Sequence, residues 1–136
     1  MAEARRLARA ITLKALYEID STGHKAEEVL NRLLADAGFS AENFAFVHEL
    51  VNGVIKNQQN LDQNIKNFAI AWPIEQLPVV DRNILRLAIF ELLFDNKVPI
   101  SVAINEAVEL AKAFGGDNSA MFVNGVLSSL STLATR

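Results

Sequence analysis

Apolar residues recur at helical spacing along almost the whole chain. In the first segment one row of apolar residues recurs every four positions, at Leu7, Ile11, Ala15 and Ile19. A second row beside it contains Ala8 and Leu16. This period predicts amphipathic helices, and no segment keeps the two-residue alternation that is typical of a strand. The first helix is expected to end at Ser21-Thr22-Gly23. The pattern therefore predicts an all-α fold of about seven helices.

Turn and cap residues separate the rest of the chain into further predicted helices. Gly38 suits the left-handed end of a second helix, and Ser40 suits the N-cap of a third. A fourth helix is predicted from about Leu61 to Ala69, before Trp72 and two prolines interrupt the chain. Pro73 can begin a short turn. We expect a single domain, 1–136, made of helical halves at about 1–70 and 73–134.

The second half contains the most apolar predicted helix. It begins near Val80, is apolar on nearly all sides, and is therefore expected to be central and buried. The break at 97–99 precedes a sixth helix, capped by Ser101 and closed by Gly115-Gly116. A seventh helix then carries a stripe formed by Phe122, Val123, Val126, Leu127 and Leu130.

Two Asn-Gly pairs, at 52–53 and 124–125, lie in similar hexamers. Their flanks keep the helical period, so we interpret both glycines as close helix–helix contacts rather than hairpin turns. Asn105 and Asn124 interrupt apolar faces, and such amides usually join helices by buried hydrogen bonds. The repeated hexamer hints at two related helical halves.

Composition limits the possible functions. Half of the 136 residues are apolar (51%), which suffices for a core, and the absence of cysteine excludes disulfides, thiol catalysis and cysteine-bound metals. Thirteen Lys and Arg against 16 Asp and Glu give a net charge of −3, so a nucleic-acid site has to be a local patch. No secretory signal or membrane-length apolar run is visible, which predicts a cytoplasmic protein with no membrane partner.

The first helix carries such a local basic patch. Arg5 and Arg9 are one turn apart and Arg6 is beside them, so three guanidinium groups can fan over one rim, with Lys14 further along. Guanidinium groups bind phosphates in a bidentate manner and stack on bases. The alternative interpretation is an ordinary solvated helix start.

The loop at 115–119 offers a second candidate. A glycine-rich turn before a helix can present backbone N–H groups to a phosphate, although it lacks the sequence of a nucleotide-binding loop. From the local pattern alone, a simple helix stop followed by an Asp, Asn or Ser cap is the favoured interpretation. Phe122 can stack on an unpaired base or belong to the core.

The acidic and histidine residues do not suggest catalysis. The carboxylate sets considered as acid–base or metal sites are Asp81 with Glu75 and Glu106 with Glu109, and His24 and His48 lie in separate segments. None has the spacing of a metal site or an acid–base pair. We therefore expect no enzyme activity, no metal and no cofactor.

Five segments together resemble the NusB family of bacterial transcription antitermination factors. They are RRLARAITLKALY (5–17), ELVNGV (49–54), ILRLAIFELL (84–93), VPISVAINEAVELAK (98–112) and FGGDNSAMFVNGVL (114–127). The resemblance implies two packed three-helix bundles with an additional helix. It also implies binding of boxA RNA in ribosomal RNA leader transcripts, jointly with the ribosomal small-subunit protein NusE, within an RNA-polymerase antitermination complex. No cofactor or catalysis is implied.

The resemblance also suggests roles for particular residues. It implies RNA contacts from the N-terminal arginines and the later turn: Arg5, Arg6, Arg9, Asn118, Ser119 and Phe122. It implies NusE contacts from Tyr17, Glu75 and Asp81, where carboxylates suit a basic ribosomal protein. The chain departs from the family pattern at Leu7, often an arginine, and at Asn118, commonly an aspartate. The first change weakens the basic patch, and the second removes a negative charge near phosphate.

Two other functions remain open from the sequence. NusB-like domains also assist RNA binding in ribosomal RNA cytosine methyltransferases, although this chain shows no S-adenosylmethionine fold or catalytic cysteine. A purely protein-binding helical adaptor is the third hypothesis, supported by Leu7 and the small basic patch. The sequence does not distinguish a monomer from a homodimer.

Overall fold

The computed structural model describes residues 2–134, and this part of the chain contains helices and turns but no strand. The all-α prediction is therefore confirmed. The six α-helices are α1 (Ala2–Thr22), α2 (Ala26–Leu34), α3 (Ala41–Phe68), α4 (Val79–Ile89), α5 (Ile100–Phe114) and α6 (Ser119–Leu130). Short 3-10 turns follow at Ile74–Gln76 and Ser131–Leu133, and a π-helical turn, Phe90–Asp95, continues α4.

The predicted third and fourth helices are one continuous helix, so the separation between them was wrong. Helix α3 runs for 28 residues through Gly53 and through the polar segment that precedes Leu61. That segment contains no proline, and the amide of Asn64 bonds the carbonyl oxygen of Asn60 one turn earlier. A glycine costs a helix about 1 kcal/mol, which packing on either side of it offsets.

The described chain forms two compact units, one ending at Lys56 and the other beginning at Asn57. In the first unit, α1 and α2 pack together and share an apolar core that includes Leu13, Leu16, Leu30 and Leu50. Gly23 directly follows α1 with a left-handed φ of 77°, as its position predicts. Gly38 is also left-handed, with φ of 68°, but α2 already ends at Leu34, so the prediction that Gly38 ends this helix was wrong. The hydroxyl of Ser40 accepts a hydrogen bond from the Asn43 N–H at 3.2 Å, which confirms it as the α3 cap.

The predicted apolar stripe of α1 is only partly correct. Ala8, Ala15 and Leu16 are buried, but Leu7 is exposed. The buried face includes Thr12 and Leu13 instead, and Thr12 is accommodated there because its hydroxyl donates to the Ala8 carbonyl oxygen at 2.9 Å. The core-facing side of the helix is therefore rotated relative to the prediction.

Helix α4 is the centre of the second unit, as its sequence predicts. Every residue from Asn83 to Ile89 is buried, and α4 packs against both α5 and α6. A buried ion pair attaches it to α3, with Arg86 Nε donating to Asp62 Oδ1 at 2.7 Å. The π-helical turn ends at Asn96, whose left-handed φ of 55° reverses the chain.

Three finer predictions in this unit were wrong. Pro99, not Ser101, occupies the N-cap of α5, because its extended backbone already begins the helix at Ile100. Asn105 and Asn124 are exposed, so they do not join helices through buried amides. A Cβ added at Gly125 would meet no described atom within 4 Å, so that glycine does not mark a close helix contact.

No helix within residues 2–134 is both long and apolar enough to span a membrane.

Candidate nucleic-acid interface

The loop between α5 and α6, residues 115–118, places two predicted RNA contacts at the start of α6. The Gly115 N–H bonds the Ala111 carbonyl oxygen at 2.9 Å and closes α5. Asn118 occupies the N-cap of α6, but its side chain makes no capping hydrogen bond. The Asn118 side chain is therefore exposed at the start of α6 and is not used to cap the helix.

Ser119 and Asp81 belong to one internal hydrogen-bonded chain. The Ser119 hydroxyl donates to Asp81 Oδ1 at 2.6 Å and accepts the Gly116 N–H at 3.0 Å. Both side chains are buried, and Asp81 is only 5% exposed. The structure therefore places Asp81 inside the second unit, hydrogen-bonded to α6, rather than on a surface that a protein partner reaches.

An apolar groove lies beside this loop, and we name it the Trp72 groove. The groove is lined by residues before and at the start of α4 and by residues around the start of α6: Trp72, Gln76, Leu77, Pro78, Asp81, Gly116, Asn118, Ser119 and Phe122. Trp72 is 55% exposed, and Phe122 is half-buried, so the ring of Phe122 is both part of the α6 packing and a groove wall. An exposed aromatic pair beside an amide can stack on an unpaired base and bond its edge.

Trp72 is a candidate binding residue that was predicted only to interrupt the helices together with two prolines. The signal available in the sequence was a tryptophan in a short connecting segment, because tryptophan is enriched at interfaces.

The three N-terminal arginines have different environments. Arg6 is exposed, Arg5 is half-buried and Arg9 is 4% exposed. The Arg5 guanidinium lies 4.0 Å from the ring centroid of Phe46 and pairs with Glu42 at 2.9 Å, while that of Arg9 lies 5.3 Å from the same ring. Phe46 therefore holds two of the three arginines by cation–π contact.

The predicted partner residues Tyr17 and Glu75 are both exposed. Tyr17 is on α1 in the first unit, and Glu75 is in the 3-10 turn before α4 in the second. Each presents a polar group to solvent, whereas Asp81, the third predicted partner residue, does not.

A separate polar cluster joins the end of α1 to α2. The Glu18 carboxylate pairs with His24 Nδ1 at 2.9 Å and with Arg32. These two hydrogen bonds, that from His24 first, hold the pKa of Glu18 below its usual range. The cluster links α1 to α2 and does not include a residue predicted to contact RNA.

No group of three potential metal-binding side chains occurs within the described residues. The Glu109 carboxylate pairs with Lys112 at 3.4 Å, as a surface helix pair does.

Comparison with known proteins identifies the family. The model of the NusB family matches residues 6–132, nearly the whole chain. This chain belongs to the NusB family. It is accordingly a transcription antitermination factor of that family and not an enzyme.

Relatives and solved structures of the NusB family agree with this assignment. The transcription antitermination protein NusB of Dehalococcoides mccartyi (strain ATCC BAA-2266 / KCTC 15142 / 195) is 59% identical over 131 residues, which cover 96% of this chain and 92% of that protein. The NusB structure from T. maritima superimposes with a TM-score of 0.90 at 35% identity, covering 96% of this chain and 93% of the other. A structure of antitermination factors NusB and NusE with double-stranded RNA gives 0.88 at 26% identity, covering 97% and 98%.

Proposed function

We propose that this chain binds boxA-type RNA of ribosomal RNA leader transcripts jointly with the ribosomal protein NusE. In this proposal it acts in the bacterial cytoplasm as one subunit of an antitermination complex on RNA polymerase. Its family supports the antitermination role, and a structurally similar NusB crystallised with NusE and RNA supports the two ligands. The Trp72 groove is the observation that carries the RNA assignment.

The groove suits an unpaired base for a physical reason. Stacking of a base on an aromatic side chain contributes about 1–3 kcal/mol and tolerates any base. Sequence preference then requires a group that reads a base edge, and the Asn118 amide offers both a donor and an acceptor beside Phe122. Asparagine at this position also avoids a carboxylate close to the RNA backbone.

The arginines of α1 contribute electrostatic attraction in this proposal. Arg5 and Arg6 are the accessible members, and Arg9 supports Arg5 indirectly because both lie against Phe46. With two phosphate contacts on a single strand, the logarithm of the binding constant is expected to fall with the logarithm of the salt concentration with a slope of only about −1.4. Such a weak dependence fits a protein that needs a partner for tight RNA binding.

Tyr17 and Glu75 are the proposed NusE contacts. A tyrosine combines an apolar ring with a polar hydroxyl, which is favourable at interfaces. A carboxylate complements a basic ribosomal protein and raises its association rate. Asp81 is not included among these contacts because its carboxylate is buried.

Fluorescence anisotropy tests the RNA assignment. A boxA-like RNA and a scrambled RNA of equal length are titrated with the protein alone and with NusE, at two salt concentrations. We expect selective binding of the boxA-like RNA that tightens when NusE is present. Equal binding of the two RNAs in the presence of a competent NusE would contradict the proposal.

A protein-binding adaptor is the second candidate function. Two observations favour it: Leu7 replaces a common arginine of the family pattern, and Arg9 is buried, which together reduce the accessible basic patch. The variant Arg5→Ala/Arg6→Ala separates the two functions, with Lys25→Ala as an exposed control in the same unit. The RNA function predicts weaker RNA binding and a salt slope smaller by about 1.4. The adaptor predicts no change in RNA binding and normal NusE binding.

A further inference from the structure

The starts of helices α4 and α6 are joined through one buried carboxylate. Asp81 is the third residue of α4 and Ser119 is the first residue of α6. The Ser119 hydroxyl donates a hydrogen bond to Asp81 at 2.6 Å, and the same oxygen accepts the Gly116 N–H at 3.0 Å. Asp81 therefore controls the backbone of the loop at 115–118 through one intermediate side chain.

Asp81 has a favourable electrostatic environment despite its burial. It lies in the first turn of α4 and bonds the first residue of α6, so the positive ends of two helix dipoles are close to its carboxylate. The hydrogen bond from Ser119 is charge-assisted and correspondingly strong. The same hydrogen bond fixes the carboxylate in the position that holds Ser119.

The packing around Ser119 leaves little freedom for the loop. A Cβ added at Gly115 would lie 2.5 Å from the Ser119 Cβ and 2.6 Å from its Oγ. The Ser119 N–H also bonds the Gly116 carbonyl oxygen at 3.1 Å. Ser119 is thus fixed against Gly115 and Gly116, directly after Asn118 and one turn before Phe122.

The Asp81–Ser119 hydrogen bond also joins the two sides of the Trp72 groove. One side is formed by residues that precede α4: Trp72, Gln76, Leu77 and Pro78. The other side includes Asn118, directly before α6, and Phe122 within α6. We propose that Asp81 is a positioning residue for RNA binding, which acts through Ser119 to set the spacing of the groove, and is not a contact for NusE. This inference rests on the proposed RNA function of the groove.

Two substitutions of Asp81 test the inference because they separate charge from hydrogen bonding. Asp81→Asn removes the charge but keeps an oxygen that accepts from Ser119, whereas Asp81→Leu has similar size and no acceptor. For boxA-like RNA measured with NusE, we expect Asp81→Asn to stay within about threefold of the parent and Asp81→Leu to lose about tenfold. Both variants should bind NusE alone as the parent does.

The opposite pattern would overturn the inference. A direct electrostatic contact with NusE predicts that Asp81→Asn weakens NusE binding and that Asp81→Leu leaves the RNA preference unchanged. RNA binding by Asp81→Asn that stays close to that of the parent, while Asp81→Leu binds more weakly, distinguishes positioning from a requirement for negative charge. Thermal unfolding of each variant shows whether it is folded under the binding conditions.

Ser119→Ala provides an independent test if Asp81→Leu does not fold, with Ser129→Ala as the exposed control on the same helix. We expect Ser119→Ala to speed amide hydrogen exchange at Gly116 and to reduce the preference for boxA-like over scrambled RNA. Ser129→Ala should change neither. Unchanged Gly116 exchange in Ser119→Ala would refute the positioning role. Exchange is measured without RNA, so it separates this inference from a failure of the parent protein to bind RNA.

Discussion

Removal of the Asp62 carboxylate is expected to destabilise the second unit strongly. Asp62 accepts hydrogen bonds from Arg86 Nε at 2.7 Å and from a second Arg86 nitrogen at 2.9 Å, which is a bidentate arrangement. The Arg86 side chain is only 6% exposed, while that of Asp62 is 27% exposed. Asp62→Ala would remove both of these charged hydrogen bonds from a buried guanidinium, whereas the bond to Asn83 at 3.3 Å is retained.

The exposure values set the size of the expected effect. Loss of one partner from a buried ion pair costs about 3–5 kcal/mol. Water can reach the exposed edge of Asp62, so we expect the lower end, about 3 kcal/mol. For a chain of this length that corresponds to a fall in Tm of roughly 10 °C.

Urea unfolding followed by circular dichroism measures this cost. Glu109→Ala is the matched control because it removes a carboxylate from an exposed ion pair with Lys112, which contributes about 0.5 kcal/mol or less. The double variant Asp62→Leu/Arg86→Met should be more stable than Asp62→Ala, since it removes the buried charge as well. If Asp62→Ala cost no more than Glu109→Ala, the reasoning from burial would be refuted.

Three further predictions concern the loop at 115–118, the Glu18 cluster between α1 and α2, and the proposed NusE contact Glu75. Gly115→Ala should lower the free energy of unfolding by about 1–3 kcal/mol because its Cβ would lie 2.5 Å from Ser119, while Gly116→Ala, whose Cβ would meet no described atom within 4 Å, should be nearly neutral in the same urea titration. Hydrogen bonds with His24 and Arg32 lower the pKa of Glu18, so its contribution to stability is present above the usual glutamate pKa of 4.5 and is lost as pH falls through the lowered value. The difference in unfolding free energy between the parent and Glu18→Gln should therefore narrow as the pH falls below 4.5, and a constant difference there would contradict this. Glu75→Gln should slow association with NusE in surface plasmon resonance, most clearly at low salt. Equal association rates for the parent and the variant would show that Glu75 is not a NusE contact.

Hydrophobic periodicity predicted the helical class and several helix ends because these features depend on local sequence. Gly23 acts through its own backbone, and Ser40 acts through a hydroxyl that bonds an N–H three residues later, so both roles were visible in the chain. The buried stretch of α4 was equally clear from its apolar residues on all sides.

The remaining features depend on contacts between distant segments. The exposure of Leu7 and the burial of Arg9 follow from how α1 packs, and periodicity alone did not give the rotation of that helix. The Asp81–Ser119 bond joins residues 38 positions apart, and its effect is to turn a predicted surface carboxylate into an internal one. Trp72 became a candidate binding residue only when its groove with Phe122 was visible.

Terminator read-through in a reconstituted transcription reaction tests the proposed function most directly. Purified RNA polymerase, NusE and the other antitermination factors transcribe two templates that differ only in an intact or a scrambled boxA sequence upstream of a terminator. Addition of this protein is expected to increase read-through on the intact template, and Arg5→Ala/Arg6→Ala should reduce that increase. Equal read-through on the two templates, in a reaction that responds to a known NusB, would contradict the boxA-dependent role proposed for this chain.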